Sequence, residues 1–354
     1  MKNLSRLCVF LVIQCLWSQD QVLTVLDANK DGVLDPYEAL DVLLTIQKKS
    51  NGELTFSSLV ELAQRKKQAD EQEVLEMFEG FEQDNNGNVI LSKLTGEMTS
   101  FAKMMDDNED GLLSMAEAFA FDMEDALLAD EEEIQERTEG ILKEYKAVND
   151  AFKLERVPKR KRGRFMEYDK NKDAVITKEE LLNFFMADNI PVKFKVNGKT
   201  AYMTGVITTA LPATVLRLLN EHPEVDTIEM LTVPGSIDDE ANIRAAFYVN
   251  KAGLTTKLNA KSTVASGGTD FFMAGKKRIV EEGAYLGVHS WGGGPVPATE
   301  VPKDDPVHVK YLEFYEAVGV PTSFYWYTLE VAPAEGMHKM TAEEIEKYKV
   351  RKSE

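Results

Sequence analysis

The sequence predicts a multidomain protein, with an all-α region over residues 19–190 followed by an α/β domain over residues 191–354. Three observations carry this. The chain has 354 residues, more than one hydrophobic core usually serves. The charge is lopsided: of a net −19, residues 21–190 hold −17, with 38 acidic and 21 basic side chains, whereas residues 191–354 hold 21 and 18. The patterning also changes at Pro191, from helical apolar spacing around acidic loops to strand-like segments interleaved with helical ones. A hydrophobic content of 44% excludes global disorder and fibrous architectures. The acidity argues against a nucleic-acid partner, because phosphate backbones are gripped by clustered Lys and Arg.

Residues 1–18 have the order of a secretory signal peptide. Lys2 and Arg6 precede the apolar run Leu7–Ile13, which continues to Leu16 and Trp17, and polar Ser18-Gln19-Asp20 follows. The run is too short to span a bilayer, and no other stretch approaches that length. The expectation is a secreted or periplasmic protein cleaved near Ser18. Both cysteines, Cys8 and Cys15, would leave with the peptide, so a mature chain would form no disulfide.

Residues 27–38 read Asp-Ala-Asn-Lys-Asp-Gly-Val-Leu-Asp-Pro-Tyr-Glu. A hard cation such as Ca²⁺ takes six to eight oxygens, and this spacing supplies them in the order of an EF-hand loop. Asp27, Asn29, Asp31 and Asp35 stand at positions 1, 3, 5 and 9. Val33 offers its carbonyl at position 7 and Glu38 both carboxylate oxygens at position 12, while Gly32 makes the position 6 turn. Residues 106–117 repeat the pattern with Asp106, Asn108, Asp110, Gly111, Leu112, Ser114 and Glu117. Residues 169–180 repeat it with Asp169, Asn171, Asp173, Val175, Thr177 and Glu180, but Ala174 replaces the turn glycine, so weaker binding is expected there. Segments 82–93 and 47–58 look degenerate. In the first, Lys93 stands where the bidentate Glu belongs and opposes a cation, and in the second only Gly52 and Leu54 fit. Loop starts at 27 and 47, and at 82 and 106, suggest two pairs. Residues 130–146 read as a charged helical connector. The basic run Lys159-Arg160-Lys161-Arg162-Gly163-Arg164 reads as a solvated face beside an acidic module, or as a processing site or anionic-surface contact.

Beyond Pro191, Val192–Val206 alternates around Asn197-Gly198 and predicts a β-hairpin. There follow helix 210–220, strand 226–233, helix 237–250, a short strand near 254–258, helix 266–275, strand 284–289 and helices 306–318 and 341–348, the alternation of a parallel-type sheet. Three segments hold candidate chemistry. Val264-Ala265-Ser266-Gly267-Gly268 places one serine among small residues at a helix start. Val233-Pro234-Gly235-Ser236 is a tight strand-to-helix turn. Leu286-Gly287-Val288-His289 ends an apolar strand in histidine. Ser266 is the candidate nucleophile and His289 its general base, with the N–H groups of Gly235 and Gly267 as oxyanion donors. His222, His308 and His338 have no partners at metal spacing, so no zinc site is expected. Glycines 292–294 lack the Lys-Ser/Thr of a phosphate cradle and suggest a substrate-edge loop.

These segments resemble, in order and spacing, the proteolytic subunit of the Clp protease, a crotonase-like fold. Met340-Thr341-Ala342-Glu343-Glu344 is similar to that family's late Met-Ser-Ala helix start, and the Ala-Ser-Gly-Gly form is also similar to signal peptide peptidases of the same fold. The resemblance covers roughly 200–350. It implies a serine peptidase using Ser266 and His289, and rings are common in the family. Two departures stand out. The turn has one glycine, with Pro234 where the family often has another. Met337 occupies the place of the triad aspartate, leaving Glu335, Asp304 and Asp305 as substitutes. The reading is thus a secreted Ca²⁺-binding protein with a Clp-like serine hydrolase domain. Calcium ions and a peptide substrate are its partners, an oligomer is allowed, and there is no membrane span. The alternative is a calcium-binding scaffold whose Clp-like domain is inactive.

Overall fold

The structure, a computed structural model, describes residues 22–50 (apart from 23, 24 and 31), 56–94, 102–121 (apart from 104 and 107), 131–292, 297–334 and 336–353. The signal segment with both cysteines, Asp31, Gly52, Leu54, Glu335 and two of the three glycines at 292–294 lie outside the described residues. No described helix is long and apolar enough to cross a membrane.

The acidic half is built on helices punctuated by loops. Helix α1 (Pro36–Ser50) starts where Asp35 Oδ1 accepts from the N–H groups of Tyr37 and Glu38, at 2.7 and 2.8 Å. Helix α2 (Phe56–Glu79) follows. Segment 47–58 is therefore not a calcium loop: its first four residues finish α1 and its last three open α2. Nothing before Asn51-Gly52 breaks the helical apolar pattern, which overrides the weak loop signal.

The other pairing holds. Strands β1 (Val89–Ile90) and β2 (Leu112–Leu113) join loops 82–93 and 106–117 antiparallel, Val89 opposite Leu113. Helix α3 (Met115–Ala120) leaves the second loop through a Ser114/Glu117 capping box. Val89, Leu91, Leu113 and Phe78 share one small core. Helix α4 (Glu131–Glu144) precedes a third ladder, in which β3 (Ala151–Lys153) pairs antiparallel with β4 (Val175–Thr177), Phe152 opposite Ile176. Helices α5 (Arg162–Tyr168) and α6 (Lys178–Asp188) flank loop 169–180. A cluster of rings from Tyr145, Phe152, Phe165, Tyr168, Phe184 and Phe185, edge-on except for the stacked Tyr145–Phe152 pair, holds this unit together.

The second half contains an eight-stranded sheet. The hairpin β5 (Lys193–Asn197) and β6 (Thr200–Thr204) turns at Gly198. Helix α7 (Leu211–Glu221), strand β7 (Thr227–Val233) and helix α8 (Asp239–Ala252) follow, then β8 (Thr255–Leu258), β9 (Thr263–Ala265), helix α9 (Gly267–Met273), β10 (Lys277–Val280) and β11 (Tyr285–Val288). Helices α10 (Val309–Val318) and α11 (Ser323–Val331), strand β12 (His338–Lys339) and helix α12 (Ala342–Lys347) complete the chain. Strands β9, β10 and β12 and helix α11 had no clear sequence signal, the strands because they are only two to four residues long.

The sheet divides along β7. The start of β7 pairs parallel with β8 through residues 227–229, and its end pairs parallel with β9 through 232–233. Strands β10 and β11 extend these two branches, beside β8 and β9 respectively. β8 and β9 thus occupy successive stretches of one edge of β7, separated by the turn Asn259–Ser262. This step brings the end of β9, which carries Ser266, beside β11, which ends at His289. Tyr285, Leu286, Gly287 and Val288 are all buried, as parallel strands covered on both faces should be.

Candidate calcium loops and candidate active site

Three loops share one internal geometry. The position 1 carboxylate accepts from the position 6 N–H in each: Gly32 to Asp27 at 2.8 Å, Gly111 to Asp106 at 2.9 Å and Ala174 to Asp169 at 3.0 Å. The position 12 glutamate accepts from the position 9 N–H in each: Asp35 to Glu38 at 2.9 Å, Ser114 to Glu117 at 2.9 Å and Thr177 to Glu180 at 3.0 Å. Positions 4 and 6 have positive φ in all three, at Lys30, Glu109 and Lys172 and at Gly32, Gly111 and Ala174. Each loop thus folds its position 1 and position 12 carboxylates back onto its own main-chain N–H groups. Burial pushes the Glu38 and Asp169 carboxyls above their usual range. Asp27 Oδ1 is buried with no hydrogen-bond partner among the described residues, which is what a position 1 oxygen meant for a cation looks like in the bare protein. The residues present fit Ca²⁺. No group of three His, Cys, Asp or Glu among the described residues forms a metal cluster of those types alone; EF-hand loops also draw on Asn, Ser or Thr and main-chain oxygens.

Two further loops are closed by the protein's own cations. Lys93, at position 12 of 82–93, lies 3.5 Å from Glu82 at position 1. The ladder register also reveals a loop without a sequence signature. Phe152 opposes Ile176, which is position 8 of its loop, so residues 145–156 form the partner loop with Arg156 at position 12. Arg156 Nη1 donates to the carbonyls of Tyr145 and Lys146, at 3.2 and 2.5 Å. A guanidinium thus occupies the role of the metal. The signal for this loop was the strand register, since its residues lack the acidic ligands.

In the second half, Ser266 lies between β9 and α9 at φ 52°, ψ −131°. Few L-residues tolerate that conformation, and it costs of order 1–3 kcal/mol; the sharp turn holds Oγ clear of both elements. Ser266 Oγ is 2.8 Å from His289 Nε2, and His289 Nδ1 is 2.7 Å from the Ala334 carbonyl. A carbonyl only accepts, so Nδ1 carries the proton and Nε2 offers its lone pair to Ser266. Burial lowers the His289 pKa below 6.5, with Arg164 adding to the effect, so the imidazole is neutral at neutral pH.

The expected third acid is replaced by this carbonyl. Met337 is buried against Ala265 and Tyr285, a packing role. Asp305 accepts from Val307 N–H at 2.9 Å, as a cap on the turn before α10, and Asp304 is exposed. Gly235 does reach the site: a Cβ there would stand 3.6 Å from Ser266 Oγ. Gly267 opens α9 against Ser236, and a Cβ there would stand 2.0 Å from Ser236 Oγ, so only glycine fits.

A cavity of about 40 Å³ adjoins Ser266 and His289, lined also by Asp239, Asp270, Tyr311 and Tyr315. Tyr311 donates to Asp239 at 2.5 Å, Ser236 also donates to Asp239, and Tyr315 donates to Asp270. Burial pushes the Asp270 carboxyl up to about 7. Neither aspartate figured among the sequence candidates, although Asp270 lies one helical turn beyond Ser266.

Comparison with known proteins gives a local match. Residues 162–186, spanning α5, loop 169–180 and most of α6, match the EF-hand family. No curated protein matches the chain. Among solved structures, an enoyl-CoA hydratase from Polaromonas sp. JS666 is 11% identical, covering 46% of this chain and 69% of that one at a TM-score of 0.30. An enoyl-CoA hydratase/isomerase family protein from Hyphomonas neptunium is 16% identical, covering 47% and 69%, also at 0.30.

Proposed function

We propose that the protein is an exported calcium-binding serine hydrolase of the Clp-like kind, cleaving peptide substrates at Ser266. One observation carries the reading: the relay from the Ser266 hydroxyl to His289 Nε2 and from His289 Nδ1 to the Ala334 carbonyl. In the first step Ser266 Oγ attacks the scissile carbonyl carbon while its proton passes to His289 Nε2. The C=O π pair becomes an oxyanion facing the N–H groups assigned to Gly235 and Gly267. Collapse expels the amine, which takes the proton from His289 and leaves an acyl-Ser266 ester. Water, deprotonated by His289, then releases the acid. The Ala334 carbonyl fixes the tautomer and ring plane, as a carboxylate would, but brings no charge to stabilise imidazolium.

Calcium binding rests on the EF-hand match and the shared geometry of the three loops. Asp27, Glu38, Asp106, Glu117, Asp169 and Glu180 would hold the ions. Bound calcium neutralises part of the −17 half and orders it against the hydrolase domain.

An active-site fluorophosphonate probe tests the reading. Wild type is expected to label, Ser266→Ala not at all, and His289→Ala about 10²–10⁴-fold more slowly. A wild type that stays unlabelled with and without calcium would leave the second reading, a calcium-binding scaffold. That reading is favoured by the uncharged partner of His289 Nδ1. Export is tested separately, by whether the secreted chain begins near Gln19.

A further inference from the structure

We infer that the seam between the third calcium loop and the sheet is a binding site for a small phosphate-bearing anion, and that calcium strengthens it. A cavity of about 250 Å³ lies there, away from Ser266. Four lysines line it: Lys170 and Lys172 from loop 169–180, Lys261 from the β8–β9 turn and Lys339 from β12. Asp169 is the one carboxylate among its lining residues. Four lysines and one acid therefore line it, in a chain whose net charge is −19.

Their hydrogen-bond partners are neutral, although Glu167 and Glu180 act on Lys170, and Asp169 on Lys172, through space. Lys170 Nζ donates to Thr232 Oγ1 at 2.9 Å and Lys172 Nζ to the Ala260 carbonyl at 2.7 Å, while Lys339 lies over the Tyr285 ring at 5.6 Å. Among the described residues, none of the four forms an ion pair. Like charges are not gathered from three separate segments without cost, and a dianion is the group that offsets it. Lysine binds phosphate as a point charge, with three donors each. The volume falls below the ~300 Å³ typical of drug-sized ligands, which limits the occupant to a phosphate on a short organic group, with Tyr285 and Thr263 at its wall.

The coupling follows from Asp169, which both lines the cavity and stands at position 1 of the calcium loop. A calcium ion at that loop neutralises Asp169, the one carboxylate among the described lining residues. Calcium therefore raises anion affinity, and by linkage the anion raises calcium affinity by the same factor.

Calorimetry on the full chain with glycerol 3-phosphate tests this, at saturating calcium and with chelator. Binding is expected with calcium, at least about fivefold weaker without it, and absent for glycerol. Lys261→Gln and Lys339→Gln, both outside the calcium loop, are each expected to weaken binding severalfold, and Ser266→Ala to leave it unchanged. Because Ser266→Ala also abolishes hydrolysis, failure of the hydrolase reading and failure of this site are distinguishable. Either single variant keeps the test valid should the other not fold. No binding by wild type, or binding by both single variants as tight as by wild type, overturns the site. So does binding only to phosphatidic acid vesicles, which would place the phosphate on a membrane surface.

Discussion

Single side chains set the strength of both sites. Ala174 holds φ 61° where the other two loops place glycine. An L-residue there costs about 1–2 kcal/mol, so Ala174→Gly is expected to tighten calcium at loop 169–180 by roughly five- to thirtyfold. Calorimetric affinities of the two chains check it, and an unchanged affinity would mean the alanine is accommodated freely. Asp270 gives a prediction in pH. Its carboxyl is raised from 3.8 to about 7 by burial, so between those values the folded chain holds a proton that the unfolded chain has released. Its contribution to stability therefore falls as pH rises through that window and is flat above it. Asp270→Asn keeps an acceptor for Tyr315 and cannot ionise. The stability gap in favour of Asp270→Asn should grow from pH 4 to 7 and level off by pH 8 in urea melts. A gap independent of pH would show that Asp270 is not the titrating group. Ser266, His289 and the candidate ligands of the three loops stand out in the sequence at this scale because each is tied to a short local motif. Ala334 was not, because a main-chain carbonyl has no side-chain signature.

At the scale of elements, loops and helices act through what they press upon. The partner loop 145–156 is held by Arg156 on two carbonyls. Hydrogen bonds to charged groups contribute about 1.5–3 kcal/mol, so Arg156→Ala should destabilise the β3–β4 unit by that order. It should also weaken calcium at 169–180 through the shared ladder. Thermal melts and a calcium titration read the two effects, and a loss of neither would remove the guanidinium from its assigned role. Helix α5 links this unit to the segment around Ser266 and His289. Gly163 approaches the Met337 carbonyl so closely that a Cβ would stand 2.1 Å from it, and the Gly163 carbonyl accepts from Tyr285 OH at 3.0 Å. Met337 is three residues from Ala334, which orients His289. Gly163→Ala must therefore push α5 and this segment apart, and probe labelling of Ser266 is expected to slow at least tenfold while calcium affinity changes little. Labelling at the wild-type rate would show that the segment holding Ala334 does not depend on α5. The basic run around Gly163 read from sequence as a solvated face; its glycine is a packing requirement that only the neighbouring chain reveals.

Across the whole molecule, the two halves are joined by charged contacts that begin at loop 27–38. Asp41 on α1 accepts from Arg244 Nε at 3.1 Å and from Tyr248 OH at 2.6 Å on α8. Asp35 pairs with Arg217, and Tyr37 donates to Glu221 at 2.9 Å, both on α7. Burial pushes the Tyr248 phenol well up, and the Asp41 charge adds to it, so the phenol stays a donor at any working pH. Asp41→Ala leaves Arg244 without its buried partner and should cost roughly 1.5–3 kcal/mol. The calcium-induced rise in melting temperature of the second half should shrink with it, as measured by calorimetry with and without chelator. An undiminished rise would mean that calcium reaches that half by another route. The C-terminus is fixed in the same long-range manner: Arg278, 2% exposed, donates to the carbonyls of Val350, Met273 and Lys349.

The amino-acid order by itself determined the charge division, the three ligand-bearing loops, the hairpin and most of the α/β alternation, and the serine and histidine worth testing. All of these are local, written in spacings of two to twelve residues. Only the tertiary structure decided that segment 47–58 is mostly helix and that Arg156 closes a fifth loop. It also decided that a carbonyl takes the place of the missing aspartate, and that four lysines from three segments meet in one cavity. Apart from the helical ends of 47–58, which follow the local apolar pattern, those outcomes depend on strand register and packing between segments far apart in the chain, and no local pattern encodes that distance.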